Sequence, residues 1–213
     1  MAERPAPLAI TLMPARAVKR VVDLVAAVLL LLFGGPLCLF VGFIIWLEDG
    51  RPILFRQIRV GRDGVPFTLY KLRSMRHDAE AESGPQWAAI NDERVTRTGW
   101  WIRALRIDEI PQAWNVLRGQ MSLVGPRPER PEFVALLRHQ IAGYDRRLVV
   151  RPGITGWAQV NQIYAGTVED ARVKLDYDIQ YLERYSVWLD VRIMIRTARI
   201  ILFGWGSTSG HTA

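Results

Sequence analysis

A run of 24 residues without a charged side chain, Leu24 to Leu47, constrains the fold of this chain more than any other feature of its sequence. As a helix rising about 1.5 Å per residue, the run would reach roughly 36 Å, more than the hydrocarbon core of a bilayer, which is about 30 Å thick. About twenty residues precede the run and no small-residue cleavage site follows it, unlike a signal peptide. Its length alone therefore predicts a membrane-spanning helix.

The centre and the flanks of this run favour a different path. The residues over 33–37 read Phe-Gly-Gly-Pro-Leu, where proline removes a helical hydrogen bond and glycine allows the backbone to bend. A spanning helix usually carries its cationic excess on the cytoplasmic side, whereas both flanks of this run are basic. The flanking residues are Arg16, Lys19, Arg20, Arg51, Arg56, Arg59 and Arg62. A re-entrant helix over 19–50, broken at Gly35 and Pro36, is thus as well supported as a spanning one, and residues 1–18 are predicted to be an N-terminal tail.

The composition indicates an anionic partner and excludes two classes of site. Lys and Arg number 28 against 21 Asp and Glu, a formal net charge of +7, which suits phosphorylated substrates, an anionic membrane surface or nucleic acid. The single cysteine, Cys38, excludes a disulfide framework and cysteine-based zinc clusters, and the three histidines lack metal-ligand spacing. Eight tryptophans favour a membrane interface, where amphipathic aromatic side chains are enriched.

Turn residues divide residues 51–206 into short elements, and residues 207–213 are predicted to be a tail. The pattern predicts strands around 53–55 and 67–70 and helices over 95–106, 111–118, 132–140 and 168–203. Near the end of the last segment, three arginines adjoin an apolar stripe, which suits a helix lying in the membrane interface or, equally, one packed on the core. The residues are Arg192, Arg196, Arg199, Trp188, Val191, Ile195, Ala198, Leu202 and Trp205.

One adjacent pair of carboxylates, Asp108 and Glu109, lies in a region rich in arginine and proline. Neighbouring residues on a helix diverge by about 100°, so the two side chains suit different tasks, such as attacking a substrate and holding a metal ion. Alone, such a pair is usually a solvated helix face. Cationic residues beside turns strengthen the candidate, because arginine matches the geometry of phosphate oxygens. These residues are Lys71, Arg73, Arg103, Arg127 and Arg151.

Four blocks in a fixed order resemble the monotopic phosphoglycosyl transferases, the bacterial sugar transferase family. The most specific block is RIDEIPQAWNVLRGQMSLVGPRPE, residues 106–129. The others are YKLRSM at 70–75, RPGITGWAQV at 151–160, and a spaced set comprising Tyr177, Asp178, Ser186, Leu189 and Asp190. The resemblance covers the chain from about Lys19 to Gly204.

The resemblance implies an enzyme that transfers a phospho-sugar from a UDP-sugar to polyprenyl (undecaprenyl) phosphate and releases UMP. This reaction would be the first membrane step of glycoconjugate or exopolysaccharide synthesis, at the cytoplasmic face of the bacterial inner membrane. The implied fold is α/β-like but mostly helical, with a re-entrant N-terminal helix, interfacial amphipathic helices in contact with membrane lipids, and a small catalytic unit with short strands within 51–206.

The resemblance also implies roles for individual residues. Asp108 would be the nucleophile of a covalent aspartyl-phospho-sugar intermediate, and Glu109 would help to hold Mg²⁺. The resemblance implies that the phosphate or the nucleotide is contacted by Lys71, Arg73, Arg103, Arg127 and Arg151, together with Pro152 and Gly153. Asp178 and Asp190 match acidic positions of the family that either bind substrate or pin helices by salt bridges.

The chain departs from the family pattern at two positions, and two alternative functions remain open. Gly35-Pro36 replaces a Ser-Pro pair, and Gln120 stands where an acidic residue is frequent. Several relatives carry an N-terminal multi-span region that is missing here, which implies a minimal catalytic form. The alternatives are a non-catalytic, membrane-anchored module that binds anionic lipid or nucleic acid, and a hydrolase of the same diphosphate donors. If the chain is a transferase, no nucleic acid partner is expected. The sequence leaves open which sugar it transfers, in which glycan pathway it acts and whether it forms a homo-oligomer.

Overall fold

The computed structural model describes residues 13–80, 84, 86–87, 92–161 and 166–203. The predicted C-terminal tail, Trp205 and most of the predicted N-terminal tail lie outside these residues. The described residues form seven α-helices and four short strands, namely α1 (Met13–Asp49), β1 (Leu54–Val60), β2 (Pro66–Leu72), α2 (Arg97–Ala104), α3 (Gln112–Leu117), β3 (Ser122–Val124), α4 (Pro131–Gln140), β4 (Gly153–Thr155), α5 (Trp157–Asn161), α6 (Val168–Glu183) and α7 (Val187–Phe203).

The four strands form two separate two-stranded sheets. Strands β1 and β2 make an antiparallel hairpin in which Leu54 pairs with Leu72 and Val60 with Pro66. Strands β3 and β4 pair in parallel, with Ser122 opposite Gly153, and α4 lies in the chain between them. The prediction of a mostly helical chain with an N-terminal apolar helix and short strands is confirmed.

Helix α1 is continuous and differs from the predicted segment in two respects. It begins at Met13 rather than at residue 19, and it continues through Gly35 and Pro36 without an interruption. Proline removes the hydrogen bond to the carbonyl of Leu32, four residues earlier, and its ring crowds that carbonyl, which bends a helix without having to end it; the Pro36 ring lies on the exposed side of the helix. The apolar, leucine-rich residues on both sides of Pro36 maintain the helical conformation.

One face of α1 is buried towards both ends of the helix and partly buried in between. Lys19, Asp23, Ala27, Val41 and Ile45 are buried, and the intervals between them are those of a single helical face. The opposite face exposes large apolar side chains, among them Val25, Leu32, Phe33, Leu39, Phe40 and Leu47. Residues Ala17–Asp49 are long and apolar enough to cross a membrane, with a mean hydropathy of 2.7. The helix therefore contributes to the core on one side and presents a lipid-compatible surface on the other.

The buried face of α1 packs against two apolar clusters. Ala27 packs with Phe67 and Leu69 of β2, with Ala113 and Val116 of α3, and with Met121. Val41 and Ile45 pack with Leu72 and Ile102. The second cluster also contacts Ile107, the first residue of the Ile107–Glu109 turn, and the first includes Ala113 and Val116 of the helix that follows this turn. Helix α1 thus forms part of the scaffold of the candidate site.

The C-terminal segment forms two helices rather than one. Helix α6 starts with a capping box, in which the Thr167 side chain accepts from the Asp170 backbone and the Asp170 side chain accepts in return. Helix α7 begins after Ser186, whose hydroxyl accepts from the Leu189 backbone. Ile193 is fully buried, whereas several large apolar residues of α7 are exposed: Trp188, Ile195, Leu202 and Phe203. The helix therefore packs on the core with one face and leaves an apolar face open.

Candidate active site

The carboxylate pair lies in a short 3₁₀ turn, Ile107–Glu109, between α2 and α3. Asp108 and Glu109 are each 5% exposed, so the pair is not a solvated helix face. Arg106, which precedes the turn, has a φ of 56°. A non-glycine residue in this left-handed region is uncommon and frequently marks a functional site.

Three cationic side chains converge on one oxygen of Glu109. Oε1 lies 2.9 Å from Nη2 of Arg127, 3.2 Å from Nζ of Lys71 and 3.5 Å from Nη1 of Arg106. Burial alone would raise the pKa of Glu109, but the positive charges of Arg127, Lys71 and Arg106 outweigh it and hold the pKa well below its usual range. Glu109 is therefore ionised at neutral pH.

Asp108 has the opposite environment. Burial raises the pKa of Asp108; the charge of Lys71 opposes this shift, whereas the neighbouring Glu109 adds to it. Among the described residues, Oδ1 of Asp108 is buried and has no hydrogen-bond partner. A buried oxygen without a donor is costly, so this atom is available to an incoming electrophile or cation.

The cations reach the carboxylates from three elements. Lys71 lies on the same face of β2 as the buried Phe67 and Leu69, because alternate residues of a strand point to one side. Arg127 follows β3, and Arg103 lies near the end of α2. Burial lowers the pKa of Arg103, and the nearby charge of Asp108 opposes this. Within the described part of the chain, the Arg103 guanidinium has no hydrogen-bond or ion-pair partner, which leaves it free for an anion.

The turn that carries Arg127 is fixed through its backbone. Nη2 of Arg147 donates to the Arg127 carbonyl at 2.8 Å, and Nη1 of Arg59 donates to the Pro128 carbonyl at 3.1 Å. The Gly153 amide donates to the Pro126 carbonyl at 3.0 Å. A Cβ on Gly153 would lie 2.1 Å from the Gly125 nitrogen, so only glycine allows the backbone at residue 153 to lie this close to the backbone at residue 125. The roles of Arg59 and Arg147 were not predicted, since tertiary contacts alone reveal them.

The sequence profile of the bacterial sugar transferases matches residues 14–204. This chain belongs to the bacterial sugar transferase family. It is 47% identical over 190 residues to a UDP-N-acetylgalactosamine-undecaprenyl-phosphate N-acetylgalactosaminephosphotransferase of Aeromonas hydrophila, covering 89% of this chain and 45% of that protein.

Two further relatives are UDP-glucose:undecaprenyl-phosphate glucose-1-phosphate transferases. One, from Caulobacter vibrioides, is 45% identical over 86% of this chain and 69% of its own length. The other, from Escherichia coli, is 40% identical over 85% of this chain and 39% of its own length. The chain thus spans less than half the length of the Aeromonas and E. coli proteins. Because sugar transferases of similar identity to this chain are named for different sugars, overall identity does not select the sugar.

Two arginines that are predicted to bind phosphate donate hydrogen bonds to carbonyls at the ends of helices. Nη2 of Arg73 donates to the carbonyls of Asp49 and Gly50, at 2.8 and 3.0 Å, where α1 ends. Nε of Arg151 donates to the Gly119 carbonyl at 2.8 Å, just after α3. Orphan carbonyls at a helix C-terminus attract cations. The contacts use one nitrogen of each guanidinium, and Nε and Nη1 of Arg73 have no hydrogen-bond partner among the described residues, so phosphate binding by Arg73 and Arg151 stays a prediction.

The two C-terminal aspartates form buried contacts with other side chains of the fold. Asp178 is 1% exposed and accepts from Nε of Arg147 at 2.8 Å. Asp190 pairs with Nζ of Lys19 at 2.6 Å and accepts from the Tyr181 hydroxyl at 2.8 Å. The salt-bridge alternative therefore fits both. Pro152 and Gly153 likewise shape the backbone beside β3, since the Pro152 carbonyl accepts from the Ser122 amide.

The donor chemistry of the carboxylate pair fits a hard divalent cation. Among the described residues, no three or more His, Cys, Asp or Glu side chains are grouped as a metal cage. Mg²⁺, however, is commonly held by one or two carboxylates together with substrate phosphates. Within the described chain all polar contacts of Glu109 go to Oε1, which leaves its second oxygen and the unpartnered Oδ1 of Asp108 as candidate ligands.

Proposed function

We propose that this chain transfers a sugar phosphate from a UDP-sugar to polyprenyl phosphate, giving polyprenyl-diphospho-sugar and UMP. The observation that carries the proposal is the buried, unpartnered Oδ1 of Asp108, next to a glutamate held by three cations. The names of the sugar transferase relatives support undecaprenyl phosphate as the acceptor. A non-catalytic anion-binding module would have no use for a buried carboxylate without a donor.

We propose that Asp108 acts as a covalent nucleophile. Its carboxylate oxygen attacks the phosphorus nearest the sugar, an oxygen–phosphorus bond forms, and the bond from that phosphorus to the bridging oxygen of UMP breaks. A phosphate oxygen of the lipid acceptor then attacks the same phosphorus and releases Asp108. Splitting one transfer into two steps lets water-soluble UMP leave before the lipid phosphate enters.

The cationic groups around the pair stabilise the charge of the reacting phosphoryl group. Lys71 and Arg127 are held in place by Glu109, and Arg103 is available on the Asp108 side. Fixed positive groups act strongly in a site from which water is excluded. Mg²⁺ held by Glu109 would supply further charge neutralisation for the diphosphate.

We also propose that α1, whose helical backbone continues through Gly35 and Pro36, bends at this proline and is re-entrant, and that the catalytic unit lies on the cytoplasmic face of the inner membrane. Both ends of α1 are attached to the same unit: Lys19 pairs with Asp190 of α7, and Glu48 accepts from the Arg97 and Thr98 amides that start α2. Ile110, next to the carboxylate pair, packs on Gly34 in the middle of the apolar run. A straight span would place this charged site at the bilayer centre, where ionised groups are costly.

The function is tested with purified protein in detergent, a panel of UDP-sugars and polyprenyl phosphate, with UMP as the readout. We expect UMP release in the presence of one donor, sensitivity to EDTA, recovery with Mg²⁺, and sugar-phosphate label on the protein when the acceptor is withheld. Asp108→Asn should lose both label and turnover. Asp63→Asn is the matched control, because Asp63 is an exposed aspartate of the hairpin turn whose left-handed backbone suits asparagine.

Five results would each contradict part of the proposal. Absence of UMP release with every donor favours the binding module. Multiple turnovers without lipid acceptor indicate a hydrolase. Near-normal turnover of Asp108→Asn, or failure to find labelled protein, excludes the covalent step, and full activity in EDTA excludes the metal.

A further inference from the structure

The side chain of Asn115 on α3 is fully buried and makes three hydrogen bonds to polar groups outside its helix. Its Oδ1 accepts from the Tyr70 amide at 3.2 Å, and its Nδ2 donates to the Thr68 carbonyl at 2.7 Å. The same Nδ2 donates to Oε1 of Gln120 at 2.8 Å. Both protons of the amide group and its oxygen are thereby used.

These contacts lie on the edge of β2 that does not pair with β1. The hairpin pairs Thr68 with Ile58 and Tyr70 with Arg56. In an antiparallel pair, residues two apart along a strand direct their backbone groups to the same edge, and here the Thr68 carbonyl and the Tyr70 amide both face Asn115. A carboxamide presents one acceptor and one donor to this edge, as the backbone of a third strand would. Asn115 therefore substitutes for a missing strand.

The strand that Asn115 holds carries a residue of the candidate site. Lys71 directly follows Tyr70, and its Nζ lies 3.2 Å from Oε1 of Glu109. Asn115 itself belongs to the helix that begins three residues after Glu109. One side chain thus connects the two elements whose separation sets the distance between Lys71 and Glu109.

We propose that Asn115 is a positioning residue that sets the placement of Lys71 against Glu109, and that Gln120 orients its amide. The consequence for catalysis rests on the proposed function, but the placement itself does not. The role of Gln120 requires only an oxygen acceptor for the second N–H of Asn115. Glutamate satisfies the same requirement, whereas methionine, which has a similar size, does not.

The proposal can be tested by amine labelling, because the chain has only three lysines: Lys19, Lys71 and Lys174. The intact purified protein is treated with trace acetic anhydride and then digested. Mass spectrometry of the peptides reports the reactivity of each lysine. Lys19 and Lys174 are both held in ion pairs, with Asp190 and Glu129, and they serve as internal controls. Lys71 is 18% exposed at its side chain and has measurable access to reagent.

Asn115→Asp keeps the shape of the side chain but removes both donors and places a carboxylate against the Thr68 carbonyl. We expect Lys71 to label at least threefold faster in this variant, with Lys19 and Lys174 unchanged. Gln120→Met should give a smaller increase at Lys71 alone, and Gln120→Glu should keep Lys71 as protected as in the parent. If the chain turns over UDP-sugar, kcat of Asn115→Asp should fall about tenfold while KM for the donor changes less.

Equal acceleration of all three lysines would show general loosening and overturn the proposal, as would unchanged Lys71 labelling in both Asn115→Asp and Gln120→Met. If Asn115→Asp does not fold, the comparison of Gln120→Met with Gln120→Glu decides. The labelling result does not depend on any turnover. Failure of the proposed function would therefore leave the measurement intact, and failure of the positioning role would not affect UMP release by the parent chain.

Discussion

Adjacent carboxylates acquire different chemical properties in this chain because their partners differ. Glu109 accepts hydrogen bonds from Lys71 and Arg127 and forms an ion pair with Arg106, and these cations hold its pKa below the usual range. Asp108 is buried, keeps an oxygen without a donor and has a raised pKa. The 3₁₀ turn directs the two side chains into these separate environments. A nucleophilic carboxylate needs a free oxygen, which Asp108 has. The neighbouring Glu109 holds the surrounding cations in place.

A second glutamate, Glu129, provides a test of buried charge at the residue scale. It forms a hydrogen-bonded ion pair with Lys174, and its Oε2 lies 3.8 Å from Nη1 of Arg59. Burial alone would raise the pKa of Glu129, but Lys174, Arg147 and Arg59 outweigh it and lower the pKa from 4.5 to about 2. A carboxylate whose pKa is lower in the folded state than in the unfolded state stabilises the folded protein at pH values above its unfolded-state pKa. This stabilisation is lost as the pH falls through the folded-state pKa.

We expect Glu129→Gln to lower the free energy of unfolding near neutral pH by up to about 3 kcal/mol. The difference from the parent should shrink as pH falls from about 4.5 to about 2, because the parent's Glu129 then becomes neutral as well. Denaturant unfolding in detergent at several pH values measures this. A difference that stays constant over the acid range would show that the charge of Glu129 does not contribute.

At the scale of elements, α1 packs closely at Gly34 against the residue that follows the carboxylate pair. A Cβ added there would lie 3.0 Å from Cγ2 of Ile110, which follows the carboxylate pair. At the neighbouring Gly35, an added Cβ would meet no described atom within 4 Å. The two glycines thus differ in packing while sharing the same helix and the same apolar surroundings.

Gly34→Leu should therefore displace Ile110 and the turn before it, and we expect at least a tenfold loss of kcat together with a lower thermal midpoint. Gly35→Leu is the matched control and should keep both quantities close to the parent values, because leucine favours the helix equally at either position. Turnover and thermal unfolding in the same detergent measure the two effects. Equal losses in both variants would exclude a specific contact at Gly34.

The elements that local signals define were predicted well, and those that depend on distant partners were not. The hairpin and the helix that stops at Gly119 follow from turn residues in the sequence. The division between α6 and α7 was missed, because no proline or glycine marks it and Ser186 caps the new helix. Arg73 and Arg151 carry no local sign that they cap helices, and the partner of Asp178, Arg147, lies 31 positions away. Composition indicated an anionic partner, and the carboxylate pair with its basic neighbours indicated the site, whereas tertiary contacts decide which arginines reach it.

At the scale of the whole molecule, both ends of α1 are tied to one catalytic unit, and this predicts a topology. Ala17 lies near the start of α1, and Val65 lies after α1 in the turn between β1 and β2. Both residues are exposed. In a Cys38→Ser background, Ala17→Cys and Val65→Cys should both resist a membrane-impermeant maleimide in intact cells and react after permeabilisation. Labelling of Ala17→Cys from outside would show that the helix spans the membrane.

The buried face of α1 has a practical consequence for protein production. Deleting the hydrophobic segment to obtain a water-soluble enzyme would remove Ala27 from the cluster around Met121, and Val41 and Ile45 from the cluster around Ile102. It would also leave Asp190 without its lysine in a buried position. A soluble version is better sought by substituting polar residues on the outward face, at positions such as Leu32, Leu39 and Phe40, while every inward residue is retained.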